Sequence, residues 1–227
     1  MNSTTTSATN RNLNEIMSDN QAQGWIAQNK IAVYSLIGVV VAGIIGFGAY
    51  KTFADKSQSA YNSKIYNFET TVLRDYLANP TDANLAQTLE KGVQNLHLEM
   101  GEYAGLLPTI IKSSDALMTS AHLAEARAVL MVGEKISNDD YSDYFVMIRQ
   151  ASVYEDMGED KLAIETLEKM SSKSVKIFEG KTYLDLGRLY LKTGNKEKAK
   201  TNFTYVVEKA KDEAEFVKIA QLYLAKI

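Results

Sequence analysis

Two segments near the end of the chain share one pattern of small, aromatic and aliphatic residues, and this repetition constrains the fold more than any other feature. The segments are residues 145–170 and 181–207. Five positions match at an offset of 36 residues: Ala151 with Gly187, Tyr154 with Tyr190, Gly158 with Gly194, Ala163 with Ala199, and Leu167 with Phe203. Self-similarity at a period of about 20 to 50 residues is typical of chains built from stacked structural repeats. The sequence therefore predicts helical hairpins that stack side by side.

The matched residues suit two helices that pack closely. Ala151 and Gly187 leave room where the helices of a hairpin cross, and the matched glycines stand where a helix ends in a left-handed cap. Leu167 and Phe203 are large apolar residues that fill the core between the helices. This order of residues resembles the tetratricopeptide repeat, a resemblance that implies an all-α solenoid of paired helices.

A third, weaker copy precedes the two clear ones. Ala126 lies 37 residues before Ala163, but Ser114 occupies the position where the repeat usually has Gly or Ala. We therefore predict repeats at residues 102–137, 144–172 and 180–211. Residues 212–227 are predicted to form a capping helix that covers the last repeat, with Phe216, Ile219, Tyr223 and Ile227 facing inward.

The chain between residue 51 and the repeats is predicted to be helical as well. Apolar residues recur at helical spacing over residues 57–77, and Asn79-Pro80-Thr81-Asp82 predicts a turn with Thr81 or Asp82 as the next N-cap. Gly101 is expected to end the following helix. Pro108 predicts either a helix start near Leu107 or a kink. Residues 138–143 are predicted to form a loop.

An uncharged stretch lies near the start of the chain, between Lys30 and Lys51. It reads IAVYSLIGVVVAGIIGFGAY, residues 31–50. As a helix it is about 30 Å long, which matches the hydrocarbon core of a bilayer. The favoured prediction is a single transmembrane helix at 31–50, after a polar tail at 1–30 and before a helical domain at 51–227. A buried core helix and a cleaved signal peptide are the alternatives.

Small residues at Gly38, Ala42 and Gly46 form one stripe of the predicted span, which is typical of helices that pair closely in membranes. The orientation is not determined by charge. Arg11 and Lys30 precede the span within 20 residues, and Lys51, Lys56 and Lys64 follow it within 20 residues. This narrow margin leans towards a cytoplasmic C-terminal domain under the positive-inside rule.

Composition excludes several classes of function. Apolar residues make up 45% and charged residues 23% of the chain, which fits a globular domain. The net charge is −3 and the cations are interspersed with acids, so we predict no nucleic-acid binding. The absence of cysteine excludes disulfides, zinc–thiolate sites and thiol nucleophiles.

No set of residues typical of an enzyme emerges. His97 and His122 are the only histidines, and we interpret them as helix-surface or turn residues rather than metal ligands. Four acidic residues surround Gly158, and a solvated helix end is favoured over a cation site: Glu155, Asp156, Glu159 and Asp160. The sequence predicts no enzyme, no catalytic residue, no cofactor and no metal.

Solenoids of this kind present a groove along the first helices of their repeats. By register, eight residues are candidates for a protein-binding groove: Phe145, Ile148, Ser152, Glu155, Lys181, Leu184, Arg188 and Leu191. Their mixture of apolar and charged groups suits an extended or helical peptide. They do not reproduce the basic and Asn set that clamps a C-terminal carboxylate. Packing against the neighbouring hairpin is the alternative for these residues.

The whole layout is similar to the YfgM-like ancillary subunits of the bacterial Sec translocon. The similarity is carried by the polar tail before one anchor helix, Tyr103-Ala104 at the start of the repeats, the two clear repeats and the final helix. It implies a single-pass protein of the bacterial inner membrane with a cytoplasmic N-terminus and a periplasmic C-terminal domain. It also implies association with the SecYEG translocon and a PpiD-like membrane-anchored chaperone.

The predicted function is therefore an adaptor that links emerging secreted proteins to periplasmic chaperones, with the lipid bilayer and unfolded or peptide clients as further partners. The alternative is a structural scaffold or oligomeric assembly subunit of another cell-envelope complex. That alternative predicts a homo-oligomer, with the stripe of small residues in the span as one contact.

Overall fold

The computed structural model describes residues 30–173 and 176–227, except for the side chains of 30–34, 36–38, 45 and 48–56. The chain divides into two compact units, Met1–Ser59 and Ala60–Ile227. Within the described ranges it forms ten α-helices: α1 Lys30–Phe68, α2 Arg74–Ala78, α3 Ala83–Met100, α4 Leu107–Thr119, α5 Leu123–Ile136, α6 Asp140–Asp156, α7 Asp160–Ser171, α8 Glu179–Lys192, α9 Lys196–Lys209 and α10 Ala214–Leu224. The predicted tail at 1–30 lies outside the described residues apart from Lys30.

Helix α1 includes the predicted span and continues past its end at residue 50. No glycine or proline occurs between Gly48 and Phe68, so nothing in the local sequence ends the helix there. Over the part of the chain that the structure describes, no helix has both the length and the apolar character needed to cross a membrane. Many side chains of residues 31–50 lie outside that part, and the membrane helix stays a prediction.

A π-helical segment, Glu69–Leu73, joins α1 to α2. Two hydroxyls bond to the backbone just before it: Thr70 Oγ1 donates to the carbonyl of Tyr66 at 2.8 Å, and Thr71 Oγ1 to that of Asn67 at 2.6 Å. Such bonds compete with the regular helix ladder and bend helices. The segment places Glu69 against α4, where its carboxylate accepts from Thr109 Oγ1 at 2.7 Å and from Lys112 Nζ at 3.0 Å.

Side-chain caps define where three of the described helices begin, and one of them is Asn195, which caps α9 by accepting from the backbone N–H of Lys198 at 3.1 Å. Asp82 caps α3 by accepting from the backbone N–H of Asn84 at 2.8 Å. Asp139 caps α6, and Ser142 completes a reciprocal capping box. The prediction of a loop over 138–143 is therefore wrong from Asp140 onward, because the box and the acidic first turn favour a helix start at that point.

The two clear repeats share the same turn. Gly158 has φ of +76° and Gly194 has φ of +85°, which a residue with a side chain rarely adopts. After each glycine, the next N–H bonds back five residues at 2.7 Å, from Glu159 to Tyr154 and from Asn195 to Tyr190. This is the Schellman arrangement that ends a helix and reverses the chain.

The hairpin formed by α4 and α5 uses the same turn without glycine. Ala121 has φ of +60°, and the N–H of His122 bonds to the carbonyl of Leu117 at 2.9 Å. Ala121 lies 37 residues before Gly158, so α4 and α5 form a hairpin equivalent to α6–α7 and α8–α9. Ser114 is fully buried at the position of Ala151 and Gly187. The repeat is weak in sequence because Ala121 stands where the other two repeats have Gly, and Ser114 stands where they have Ala or Gly.

Two apolar cores lie along the domain, and α6 contributes to both. The first core contains Tyr76, Leu89, Ile110 and Leu130, and extends to Val153. The second contains Ala151, Leu167, Leu189 and Phe203, and extends to Ala220 in α10. Opposite faces of one helix thus bury against successive hairpins, which is how neighbouring repeats stabilise each other in a solenoid.

The last helix faces the core differently from the prediction. Ala220 is fully buried, and Tyr223 stacks on Phe203 with ring centroids 4.8 Å apart. Ile219 is 40% exposed and Ile227 is 37% exposed, so the prediction that both face inward is wrong. The stacking of Tyr223 on Phe203 fixes the rotation of α10, and residue 227 lies beyond the helix end at Leu224.

Candidate protein-interaction surfaces

The predicted groove residues fall on α6 and α8, the first helices of the two clear repeats. Four of them line one narrow cleft between these helices: Ile148, Ser152, Glu155 and Arg188. The other four are more dispersed. Phe145 is 45% exposed at the start of α6, whereas Leu184 is buried. Leu191 packs on the second core, and Lys181 pairs with Asp185 at 2.7 Å.

An ion pair lies in the cleft between α6 and α8. Arg188 Nη2 donates to Glu155 Oε2 at 2.6 Å, and Nη1 donates to the other carboxylate oxygen. This two-point contact lowers the pKa of Glu155 below its ordinary value, against the opposing effect of burial. Glu155 and Arg188 therefore neutralise each other across the repeat boundary, and little charge remains for a ligand.

Similar pairs connect other neighbouring repeats. Arg149 on α6 holds Asp115 on α4 with two bonds of 2.6 and 2.9 Å. Three further pairs join residues 32 to 35 positions apart: Arg127 with Glu159, Lys192 with Asp160, and Lys169 with Glu134. The sequence analysis missed these contacts. Opposite charges separated by one repeat length are the signal that predicts them, since stacking places equivalent positions side by side.

These pairs also account for three of the four acidic residues around Gly158. Glu155, Glu159 and Asp160 each bond to a cation of an adjacent repeat. His97 lies near the end of α3 with Nδ1 3.0 Å from the carbonyl of Gly101, and Nε2 of His122 is 3.1 Å from the carbonyl of Pro80. Over the described residues, no group of three or more His, Asp or Glu side chains is placed to hold a metal ion.

A second surface lies on the second helices and was not predicted. It is a groove between α3 and α5 that is lined by Gln94, His97, Leu98, Met131, Val132 and Lys135. Leu98 is 80% exposed and Met131 is 48% exposed, whereas Val132 is buried at its floor. Leu98 and Met131 match no position of the repeat pattern, so that pattern alone assigns them to no surface.

The predicted helix-packing stripe in α1 is described in part. Gly38 lies outside the residues whose side chains are described. Ala42 and Gly46 are exposed, and beyond the adjoining helix backbone no described atom lies within 4 Å of the position that a Cβ at Gly46 would take. The stripe as a helix-pairing face stays a prediction.

Stacked antiparallel hairpins with left-handed turns and ion pairs at the repeat spacing define an α-solenoid of the class that binds other proteins. A family model described as a tetratricopeptide repeat-like domain matches residues 23–227, and the chain belongs to this family. The prediction of an all-helical repeat domain is thereby confirmed. A search of curated proteins finds no significant match. Domains of this family generally mediate protein–protein interactions and are generally not catalytic.

Proposed function

We propose that the protein is a membrane-anchored adaptor whose repeat domain holds partner proteins at the bilayer surface. The observation that carries the anchor is the apolar surface of α1. Five large apolar side chains are exposed within the uncharged stretch: Val39, Val40, Val41, Ile44 and Phe47. A contiguous apolar surface of this kind is unfavourable in water and favourable in lipid. The same helix continues to Phe68 in the repeat domain.

The proposed partners follow from the similarity to the YfgM-like translocon subunits. On this proposal the anchor lies in the bacterial inner membrane, with the N-terminus in the cytoplasm and the domain in the periplasm. The partners are SecYEG and a PpiD-like chaperone, and the clients are secreted proteins that emerge from the channel. The repeat domain supports this role because stacked hairpins offer long faces to extended or helical segments.

Orientation is tested with single cysteines, because the chain has none of its own. Ser7→Cys reports on the N-terminal tail, and Ser172→Cys reports on an exposed position after α7. In intact spheroplasts, a membrane-impermeant maleimide is expected to label Cys at 172 and not at 7. Labelling of position 7 alone would place the domain in the cytoplasm and overturn the proposed localisation. Labelling of both positions, together with recovery of the protein in the soluble fraction and not with the membranes, would overturn the anchor.

Partners are tested by purifying the tagged full-length protein from membranes in mild detergent and identifying the co-purifying proteins by mass spectrometry. A control variant has residues 31–50 replaced by an unrelated membrane span. Recovery of SecYEG and a periplasmic chaperone supports the adaptor, and their loss in the control assigns the contact to the span. Recovery of a different envelope complex would contradict the translocon assignment.

One observation favours the alternative function, a scaffold that assembles with itself. The exposed Gly46 has open space around it, and small residues on one helix face allow a second helix to approach closely. The scaffold predicts a dimer or larger oligomer by light scattering of the detergent-solubilised protein. Gly46→Leu is expected to dissociate that oligomer. If the wild-type protein and the Gly46→Leu variant are both monomeric, that result would contradict the scaffold.

A further inference from the structure

We infer that the groove between α3 and α5 binds an acidic amphipathic helix of a partner protein. This α3–α5 groove lies on the second helices of successive hairpins, whereas the predicted groove lies on first helices. It involves only residues of the repeat domain, so the inference is independent of the membrane anchor and of the proposed translocon partners.

The groove presents apolar side chains that no described residue covers. Leu98 on one wall is 80% exposed, and Met131 on the other is 48% exposed. Both could have been polar at no cost to the core, since neither contributes to it. Exposed apolar side chains on both walls, above a buried Val132, form the kind of surface into which a helix inserts its apolar face.

The charges of the groove select the sign of the partner. Lys135 lines it, and no acidic side chain does. Lys91 is exposed one turn before Gln94 on the same face of α3. Over the residues that the structure describes, neither Lys91 nor Lys135 forms an ion pair. The carboxylates beside the apolar stripe of an acidic partner helix can pair with Lys91 and Lys135, whereas these two lysines repel a basic helix.

Two of the three acids closest in sequence to the groove are paired with lysines outside it. Glu99 follows Leu98 but pairs with Lys64. Glu134 precedes Lys135 but accepts from Gln150 at 3.1 Å and from Lys169 at 3.4 Å. Glu90 accepts from the side chain of Gln94 at 2.8 Å. The amide of Gln94 is neutral, so Glu90 keeps its charge, but Lys91 and Lys135 outnumber it among these side chains. The α3–α5 groove therefore keeps a net positive charge, whereas on the first helices Arg188 and Arg149 are both paired with acids.

The shape of the surface favours a helix over a membrane. Two helices form its walls, and its floor at Val132 lies below the crests that carry Leu98 and Met131. A third helix fits between two packed helices with its side chains in their grooves. A flat bilayer would contact the crests and leave the floor empty.

The test uses full-length protein in a zwitterionic detergent and a fluorescent synthetic peptide of about four helical turns. The peptide has a leucine stripe flanked by glutamates, and a matched peptide has lysines in place of the glutamates. Fluorescence anisotropy, corrected for binding to empty micelles, is expected to give an affinity for the acidic peptide at least about tenfold higher. Raising the salt concentration is expected to narrow this difference.

Two groove variants and one control separate this site from general charge effects. Lys91→Glu with Lys135→Glu is expected to reverse the preference between the peptides, and Leu98→Gln is expected to weaken binding of the acidic peptide at least about fivefold. Lys200→Glu, at an exposed position of α9, is expected to bind as wild type does. All four substituted positions are exposed, so we expect the variants to fold as the wild-type protein does. Thermal melts that match the wild-type melt check this.

Three outcomes would overturn the inference. Equal binding of the two peptides would remove the charge selection. Wild-type binding by both groove variants would place the peptide elsewhere. Absence of peptide binding together with binding to phosphatidylglycerol vesicles that the groove variants weaken would assign the surface to the membrane instead. Failure of the translocon pull-down leaves the peptide result unaffected, so the two proposals are judged separately.

Discussion

Gly187 on α8 lies against the ring of Phe203 on α9. A Cβ at Gly187 would be 2.5 Å from Cε1 and 2.6 Å from Cδ1 of that ring, closer than carbon atoms approach in folded proteins. Gly187→Ala is therefore expected to destabilise the protein by about 1 to 3 kcal/mol, through displacement of a fully buried aromatic side chain. Urea unfolding followed by circular dichroism measures the change.

The preceding repeat suggests how this cost is relieved. Ala151 and Leu167 occupy the positions of Gly187 and Phe203. Phe203→Leu alone is expected to destabilise the domain through a cavity. Combined with Gly187→Ala it is expected to cost less than the sum of the two, by about 0.5 to 3 kcal/mol. Strict additivity of the two changes would show that the repeats do not pack equivalently.

The left-handed residue at Ala121 predicts a stabilising substitution. Its φ of +60° places Cβ close to the backbone, and glycine is free of that strain. Ala121→Gly is expected to raise the free energy of unfolding by about 0.5 to 1 kcal/mol. Gly158→Ala, the opposite change at the equivalent turn, is expected to lower it by at least about 1 kcal/mol. The same sign for both substitutions would contradict the shared turn.

The Glu155–Arg188 pair predicts a pH-dependent effect of removing the cation. Arg188 holds the pKa of Glu155 below its ordinary 4.5, so the pair stabilises the fold above that pH and loses this contribution as Glu155 is protonated. Arg188→Gln is expected to lower Tm most at neutral pH. The difference from wild type should shrink as the pH falls through the lowered pKa of Glu155.

The control for this experiment is Lys200→Gln, which removes one positive charge from an exposed site. Its Tm difference from wild type is expected to be small at every pH. A difference for Arg188→Gln that does not decrease at all towards acid pH would show that the carboxylate of Glu155 is not responsible.

Two buried tyrosines predict opposite effects of removing the hydroxyl group. Tyr76 is fully buried, and its hydroxyl makes no hydrogen bond of good geometry among the described residues, although Ser120 lies close to it. Tyr76→Phe is therefore expected to leave stability unchanged or raise it by up to about 1 kcal/mol. The Tyr190 hydroxyl donates to Glu168 and accepts from Lys198 at 3.0 Å.

Tyr190→Phe is expected to lower stability by about 0.5 to 1.5 kcal/mol, since it removes both bonds. Chemical denaturation of the two variants in parallel measures the contrast. A loss of stability in Tyr76→Phe comparable to that in Tyr190→Phe would show that the Tyr76 hydroxyl is hydrogen-bonded in solution.

The site residues show how far register alone predicts a surface. Assignment of Glu155 and Arg188 to the first helices follows from the repeat pattern, and the structure places both in the cleft between α6 and α8. Register did not reveal that they bond to each other, because that depends on the distance between adjacent repeats. It also did not reveal the α3–α5 groove, since α3 precedes the repeats and does not carry their pattern.

The sequence by itself determined the helical hairpins and their turns at Gly158 and Gly194. These depend on local properties: a left-handed cap that glycine adopts without strain, and small residues where two helices cross. Only the tertiary structure decided three further features. Packing holds Ala121 in a conformation that its own preference disfavours, the contact of Tyr223 with Phe203 sets the rotation of the last helix, and stacking brings charges one repeat apart into ion pairs. Each of these depends on residues far apart in the chain, whose distances the order of residues does not contain.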